Sequence, residues 1–159
     1  IDKYSETVYT EADTSLGYNP LWSQRADCAF PCAVENEIGE NDAFNLINNG
    51  IKLICEGADM PSSPEAVKIF MDKKILFAPA KAANAGWVAV SGLEMAQNRM
   101  LLNWSAEEVD RRLKTIMKNI HVNCLDVAER YGVPGNYLVG ANIAGFVRVA
   151  NATLDQGLV

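Results

Sequence analysis

The sequence is poor in the residues from which most catalytic and metal sites are built. It holds one histidine and four cysteines. His121 stands mid-way along a helical pattern beside Ile120, with no partner visible at a fixed spacing. It reads as a packed or solvated residue rather than a general base. Cys28, Cys32, Cys55 and Cys124 lack metal-ligand spacing and sit in apolar segments such as "LICEGA". That placement predicts reduced core thiols and argues against a disulfide framework. No glycine-rich phosphate loop of the form G-x-G-x-x-G occurs. No apolar run approaches the roughly 20 residues that span a bilayer, and nothing resembles a secretion signal, so the expected compartment is the cytoplasm. Basic clusters are also lacking: 14 Lys and Arg lie scattered among 20 Asp and Glu, for a net charge of -6. This argues against nucleic acid or an anionic membrane as partner and leaves a small molecule as the expected ligand. The first residue is Ile1 rather than methionine, within what looks like a helix or strand, so a piece of a longer protein is expected.

What the chain does have is core material. It is 159 residues long, 49% hydrophobic and 21% charged, which suits one globular domain. Three short apolar runs read as strands: "DCAFPCA" (27–33), "IKLICEGAD" (51–59) and "ILFAPA" (75–80). The latter two are nearly continuously apolar, as expected of strands covered on both faces. Between them, "ENDAFNLINNG" runs to a stop at Gly50. "SSPEAVKIFMDKK" offers Ser63 as N-cap, Pro64 at the first helical position and lysines in the last turn. Strand, helix, strand, helix, strand implies parallel pairing and an α/β fold, a partial Rossmann-like nucleotide-binding domain. From Ala85 onward the pattern is helical only: Ala85 to Leu102, Ala106 to Tyr131 and Tyr137 to Leu154. "SAEE" (105–108) reads as a capping box, and Val109, Leu113, Ile116, Ile120, Cys124, Val127 and Tyr131 recur at spacings of three and four. Gly132 and Pro134 close that helix.

In parallel α/β sheets ligands bind beyond the carboxyl ends of the strands. The three runs end in "PCAVENE", "EGADMP" and "PAKAAN". Small residues there let a flat ligand approach the backbone, while Asp59 and Asn84 offer hydrogen bonds. Any one of these is an ordinary turn residue; three strand ends together point to a site. In a helix starting at Ala85, Asn84, Val88, Ser91 and Met95 share one stripe, and Ala89, Leu93, Ala96 and Met100 another. One can face the sheet and the other a cleft. The competing readings are a Ser91 hydroxyl bonded back to its own helix and Val88 as plain core. Lys81 is either reactive or a stem covering apolar surface. Glu107, Glu108 and Asp110 read as a solvated first turn.

The segments "FPCAVENEI", "ICEGADMPSSPEA", "FAPAKAANAGWVAVSGLEMAQN" and "GANIAGFVRVANATLDQGLV" together resemble the C-terminal part of small hexameric glutamate dehydrogenases. The resemblance runs from about Tyr18 to the end. It implies reversible oxidative deamination of L-glutamate to 2-oxoglutarate and ammonia, with NADP as cofactor, NAD as the alternative, and a homohexameric parent. By the same resemblance, residues 1–102 are the second half of a Rossmann-like dinucleotide-binding domain. Residues 103–159 are then a C-terminal helical segment that packs back on that domain and on the hinge. Cys32 and Ala33 match positions along the cofactor's ribose, and Asp59 falls near the same ribose. Asn84 matches a residue on the nicotinamide side. Val88 and Ser91 match positions lining the glutamate pocket, the serine hydroxyl reaching the side-chain carboxylate. The family's catalytic lysines and aspartate have no counterpart here, so the chain alone is expected to be inactive. Three residues depart from the family pattern. Asp59 stands where asparagine is usual, Glu35 where glutamine is, and Trp87 where "NAGG" has its second glycine. A tryptophan at that glycine costs about 1 to 2 kcal/mol if the position needs positive φ. The alternative reading is a non-catalytic nucleotide- or small-ligand-binding α/β module.

Overall fold

Parallel pairing joins three short strands in sequence order: β1 (Cys28–Ala29), β2 (Leu53–Cys55) and β3 (Leu76–Ala78). The register sets Ala29 beside Ile54 and Ile54 beside Phe77. The computed structural model describes residues 9, 11 and 13–157; the opening stretch read as helix or strand lies outside them. Two helices, α1 (Glu40–Asn48) and α2 (Pro64–Asp72), fill the crossovers, as the alternating pattern requires. Ala29, Ile54 and Phe77 join Trp22, Ile38, Ala43, Leu46, Ala66 and Phe70 in one core. The opposite sheet face is only partly covered, with Cys28 exposed and Leu76 66% exposed. The expectation of strands covered on both faces therefore holds for one face within this chain.

Local chemistry accounts for the helix ends. The Ser63 hydroxyl accepts from the Ala66 N–H, and Pro64 occupies the first position without wasting a donor. The Asp42 carboxylate, 6% exposed, accepts from the Gly39 N–H that opens α1 and from the Asn19 N–H. Gly50, with φ of 84°, follows α1. Lys73 and Lys74 fall just past α2 rather than in its last turn.

The strands are much shorter than the apolar runs. After β1, the Pro31 carbonyl leaves the ladder to accept from Gly57 and Ala58 N–H groups. After β3, the Pro79 carbonyl starts a one-turn helix, α3 (Ala80–Ala83), which the sequence pattern did not announce. The runs' remaining residues form loops at the carboxyl end of the sheet.

Three longer helices follow: α4 (Ala85–Met100), α5 (Ala106–Arg130) and α6 (Tyr137–Gln156). At the start of α5, the Ser105 hydroxyl accepts from the Glu108 N–H. The Glu108 carboxylate bonds Arg111 and Arg112 instead of closing the expected box. The α5 stripe is buried at Cys124 and Val127, but its last member, Tyr131, is 53% exposed. Helix α5 packs on both α4 and α6, and α6 meets β3. Gly86 admits Met117 and Leu113 of α5 against the first turn of α4. Among the described residues no helix is long and apolar enough to cross a membrane.

Candidate functional site

The loops beyond the three strands gather around two adjoining clefts. The first, of about 660 Å³, is largely apolar and lies among β3, α3, α4, α5 and α6, with Phe77, Ile116, Ile120 and Leu138 in its walls. The second, of about 700 Å³, is bounded by the segment after β1, the loop after β2 and the start of α4. Asp59, Asn84 and Val88 line both.

Five of the six residues expected to form the site meet in the second cleft: Cys32, Ala33, Asp59, Asn84 and Val88. Cys32 follows buried Pro31, and its side chain lies against Gly57, where an added Cβ would overlap the Cys32 sulfur. Glycine at 57 thus lets the β2 loop come down onto the cysteine, with the Gly57 N–H donating 2.9 Å to the Pro31 carbonyl. The Ala33 N–H donates 2.9 Å to a Glu37 carboxylate oxygen, which fixes the next turn. Asn84 sits at the junction of α3 and α4, and its Nδ2 donates 2.6 Å to Asp59 Oδ1. A carboxylate only accepts, so this contact fixes which way the Asn84 amide points and leaves its carbonyl oxygen for another donor.

Ser91 lies outside both clefts, exposed one turn beyond Val88 on α4. Its hydroxyl is not bonded back to the helix, unlike those of Thr115 and Thr153. Val88 is 72% exposed and Met95 64% exposed, so this stripe is open, whereas Ala89, Leu93 and Ala96 are half-buried. Met100, assigned to the same apolar stripe, is 50% exposed. Lys81 is also exposed, and its ammonium donates to Asn142 Oδ1 of α6.

One condition is not met and one expectation needs correction. Trp87 lies in the first turn of α4 outside the positive-φ region, so it carries no backbone strain; its indole is 76% exposed on the wall of the second cleft. Of the four cysteines only Cys124 is buried. Cys55 is half-buried, while Cys28 and Cys32 are exposed, because β1 is an edge strand and Cys32 has turned into the cleft.

Glu56 is the polar residue that sequence reasoning passed over. It is 4% exposed, yet both carboxylate oxygens are used, accepting the Ser62 N–H at 3.2 Å and the Ala80 N–H at 2.8 Å. It ties the end of β2 to the start of α3 and to the loop before α2, so it holds the walls of the first cleft together. An acid inside the apolar run "LICEGA" was the available signal, since a buried charge has to be hydrogen-bonded. Beside it, the Ser62 hydroxyl, 2% exposed, has no hydrogen-bond partner among the described residues.

Three parallel strands whose carboxyl-end loops converge on a cleft define a nucleotide-binding type of α/β domain, in part. The profile of the Glutamate/Leucine/Phenylalanine/Valine dehydrogenase family matches residues 1–157, and the chain belongs to that family. It is 53% identical over 138 residues to the NADP-specific glutamate dehydrogenase of Escherichia coli, covering 87% of this chain and 31% of that protein. It is 48% identical over 160 residues to the NADP-specific glutamate dehydrogenase of Giardia intestinalis, covering 99% of this chain and 34% of that protein. An NAD-specific glutamate dehydrogenase of Bacteroides fragilis is 48% identical over 138 residues, 87% of this chain and 31% of its own length. The crystal structure of Plasmodium falciparum glutamate dehydrogenase superposes with a TM-score of 0.83 at 44% identity, over 87% of this chain and 30% of that one. The chain therefore spans about a third of the length of the curated relatives it matches.

Proposed function

We propose that this chain forms the nucleotide-side half of a glutamate dehydrogenase site, as the C-terminal part of the enzyme, with the other half supplied by polypeptide outside these 159 residues. The reaction is the reversible oxidative deamination of L-glutamate to 2-oxoglutarate and ammonia. The reading rests on identities of 48–53% to relatives that are glutamate dehydrogenases. Two of those three are NADP-specific, so NADP is the expected cofactor, with NAD the alternative. Residues 1–102 act as the second half of the dinucleotide-binding domain, and 103–159 as the helical segment packed on it. The whole protein is expected to be a homohexamer, and the four free cysteines suit the reducing cytoplasm.

The residues of the second cleft fit such a cofactor. Ala33, Gly57 and Ala58 leave room for a ribose and a flat ring against the backbone, and Asn84 presents an amide. When bound, NADP supplies the acceptor for the substrate's hydride. Cys32, Ala33 and Asp59 lie along the ribose, and Asn84 orients the nicotinamide side. Val88 and Ser91, on the open stripe of α4, face the glutamate side chain. Closing a second domain over that stripe excludes water and strengthens each polar contact there. The chain contributes no acid or base of the catalytic step. His121 is exposed and stacks on Tyr137 at 5.4 Å, and it lines neither cleft.

The test is NADPH formation by the longest polypeptide that carries this chain, with L-glutamate, L-leucine, L-phenylalanine and L-valine compared. Glutamate is expected to be preferred, and the 159-residue chain alone is expected to be inactive. Preference for an apolar amino acid, or turnover by a homogeneous sample of the short chain, would overturn the reading. Cofactor binding by the longer polypeptide without turnover of any of the four would return it to a non-catalytic binding module.

A further inference from the structure

Glu35, Asp59 and Trp87 all line the second cleft. Two of them carry a carboxylate. The third carries an exposed indole. The cleft's ten lining residues include these two acids and no lysine, arginine or histidine. Neither acid belongs to an ion pair among the described residues. Among the described residues Asp59 is bonded only to the neutral amide of Asn84, which leaves its charge uncompensated there. An acidic, aromatic-walled cleft favours a flat cationic occupant through Coulomb attraction and through the negative face of the indole.

We propose that this cleft discriminates the redox state of the cofactor, holding the cationic oxidised nicotinamide ring in preference to the neutral reduced ring, with Glu35, Asp59 and Trp87 as the specificity-determining residues. The inference rests on the dehydrogenase reading above. It concerns the ratio of two affinities. The phosphates and the adenosine are the same in both forms, so their repulsion from the two acids cancels in that ratio. Only the ring charge differs.

The experiment measures Kd for NADP⁺ and for NADPH with the full-length polypeptide, as wild type, Asp59→Asn, Glu35→Gln and the double variant. Each substitution keeps the side-chain shape and removes one charge. Glu35 is exposed and its side chain makes no hydrogen bond among the described residues, so Glu35→Gln should leave the fold intact. The ratio Kd(NADP⁺)/Kd(NADPH) should rise about threefold to tenfold with each charge removed, and the rise should shrink in high salt. Trp87→Leu should raise the same ratio by a smaller, salt-insensitive factor. Variants that bind both forms with the ratio unchanged within a factor of about two would overturn the inference and leave the dehydrogenase reading standing. Wild-type protein that binds neither form would overturn that reading itself.

Discussion

Gly140 of α6 sits directly against the backbone carbonyl of Cys124 in α5. A Cβ built at 140 would lie well inside contact distance of that oxygen and 3.0 Å from the Ala128 Cβ. Backbone meets backbone at this crossing, and the two helices hold the α4 face through α5. Gly140→Ala should therefore force the helices apart and destabilise the protein by about 1 to 3 kcal/mol. Gly145, on the same helix, has open space around its Cα. There the same substitution should be neutral or stabilising by up to about 1 kcal/mol, through helix propensity. Denaturant unfolding of the two variants side by side separates packing from propensity, and equal effects would rule out the close crossing.

Glu56 supports a second prediction. Its two oxygens hold the Ser62 and Ala80 N–H groups in a buried setting. In Glu56→Gln one acceptor becomes an amide donor facing another donor, which strands a buried N–H. The expected cost is about 1 to 3 kcal/mol in unfolding free energy, with a matching loss of order in the loop between β2 and α2. Hydrogen exchange at Ala80 should speed up more than exchange in α1, which Glu56 does not touch. Uniform exchange across both elements would mean that the carboxylate does not strap the cleft.

How much of this was legible in the sequence depended on the range of the interaction. The caps at Ser63 and Ser105 and the α5 stripe from Val109 to Val127 were readable because each is decided within a turn or two. The meeting of Cys32, Ala33, Asp59 and Asn84 was also readable, since parallel strands deliver their carboxyl ends to one edge. The strand lengths were not. Apolar composition alone does not reveal that the Pro31 carbonyl leaves the ladder for Gly57, or that Pro79 opens a helical turn. Glu56 was missed for a related reason: its partners lie 6 and 24 residues away. Whether Trp87 was strained was not legible, because a residue type alone does not reveal its φ; here it begins an ordinary helix.

Tyr137 gives the fold an alkaline limit. Its burial, with Cys124 beside it, raises the phenol pKa from 10.0 to about 12. Between those values the unfolded chain has released a proton that the folded protein keeps. The group's stabilising contribution is thus complete below about pH 10 and is lost as pH rises through about 12. Burial also raises the Cys124 thiol, which adds a loss beginning at lower pH. In Tyr137→Phe the ring still packs against the cluster of Ala82, Cys124 and Ala141 while the titrating group is gone. The stability of wild type relative to the variant should fall steadily from pH 10 to 12. A difference constant across that window would place the phenol in water.

Ser91 offers the sharpest test of the substrate side. Its hydroxyl is exposed and not bonded back to α4, one turn beyond Val88, so it is free to meet a ligand that approaches the open stripe. A hydrogen bond to a charged group contributes about 1.5 to 3 kcal/mol. Removing it in the full-length polypeptide should lower kcat/KM for glutamate about tenfold to a hundredfold, at about 1.4 kcal/mol per decade. The dissociation constant for NADP should barely move, because Cys32, Ala33, Asp59 and Asn84 line a cleft that Ser91 does not reach. Ser91→Thr keeps the hydroxyl and should recover part of the loss, which a purely structural role would not allow. Steady-state kinetics of both variants together with cofactor titration decide the matter. A Ser91→Ala enzyme whose glutamate kcat/KM stays within a factor of about two of wild type has lost no charge-assisted bond. The open stripe of α4 would then not be the wall of the glutamate pocket.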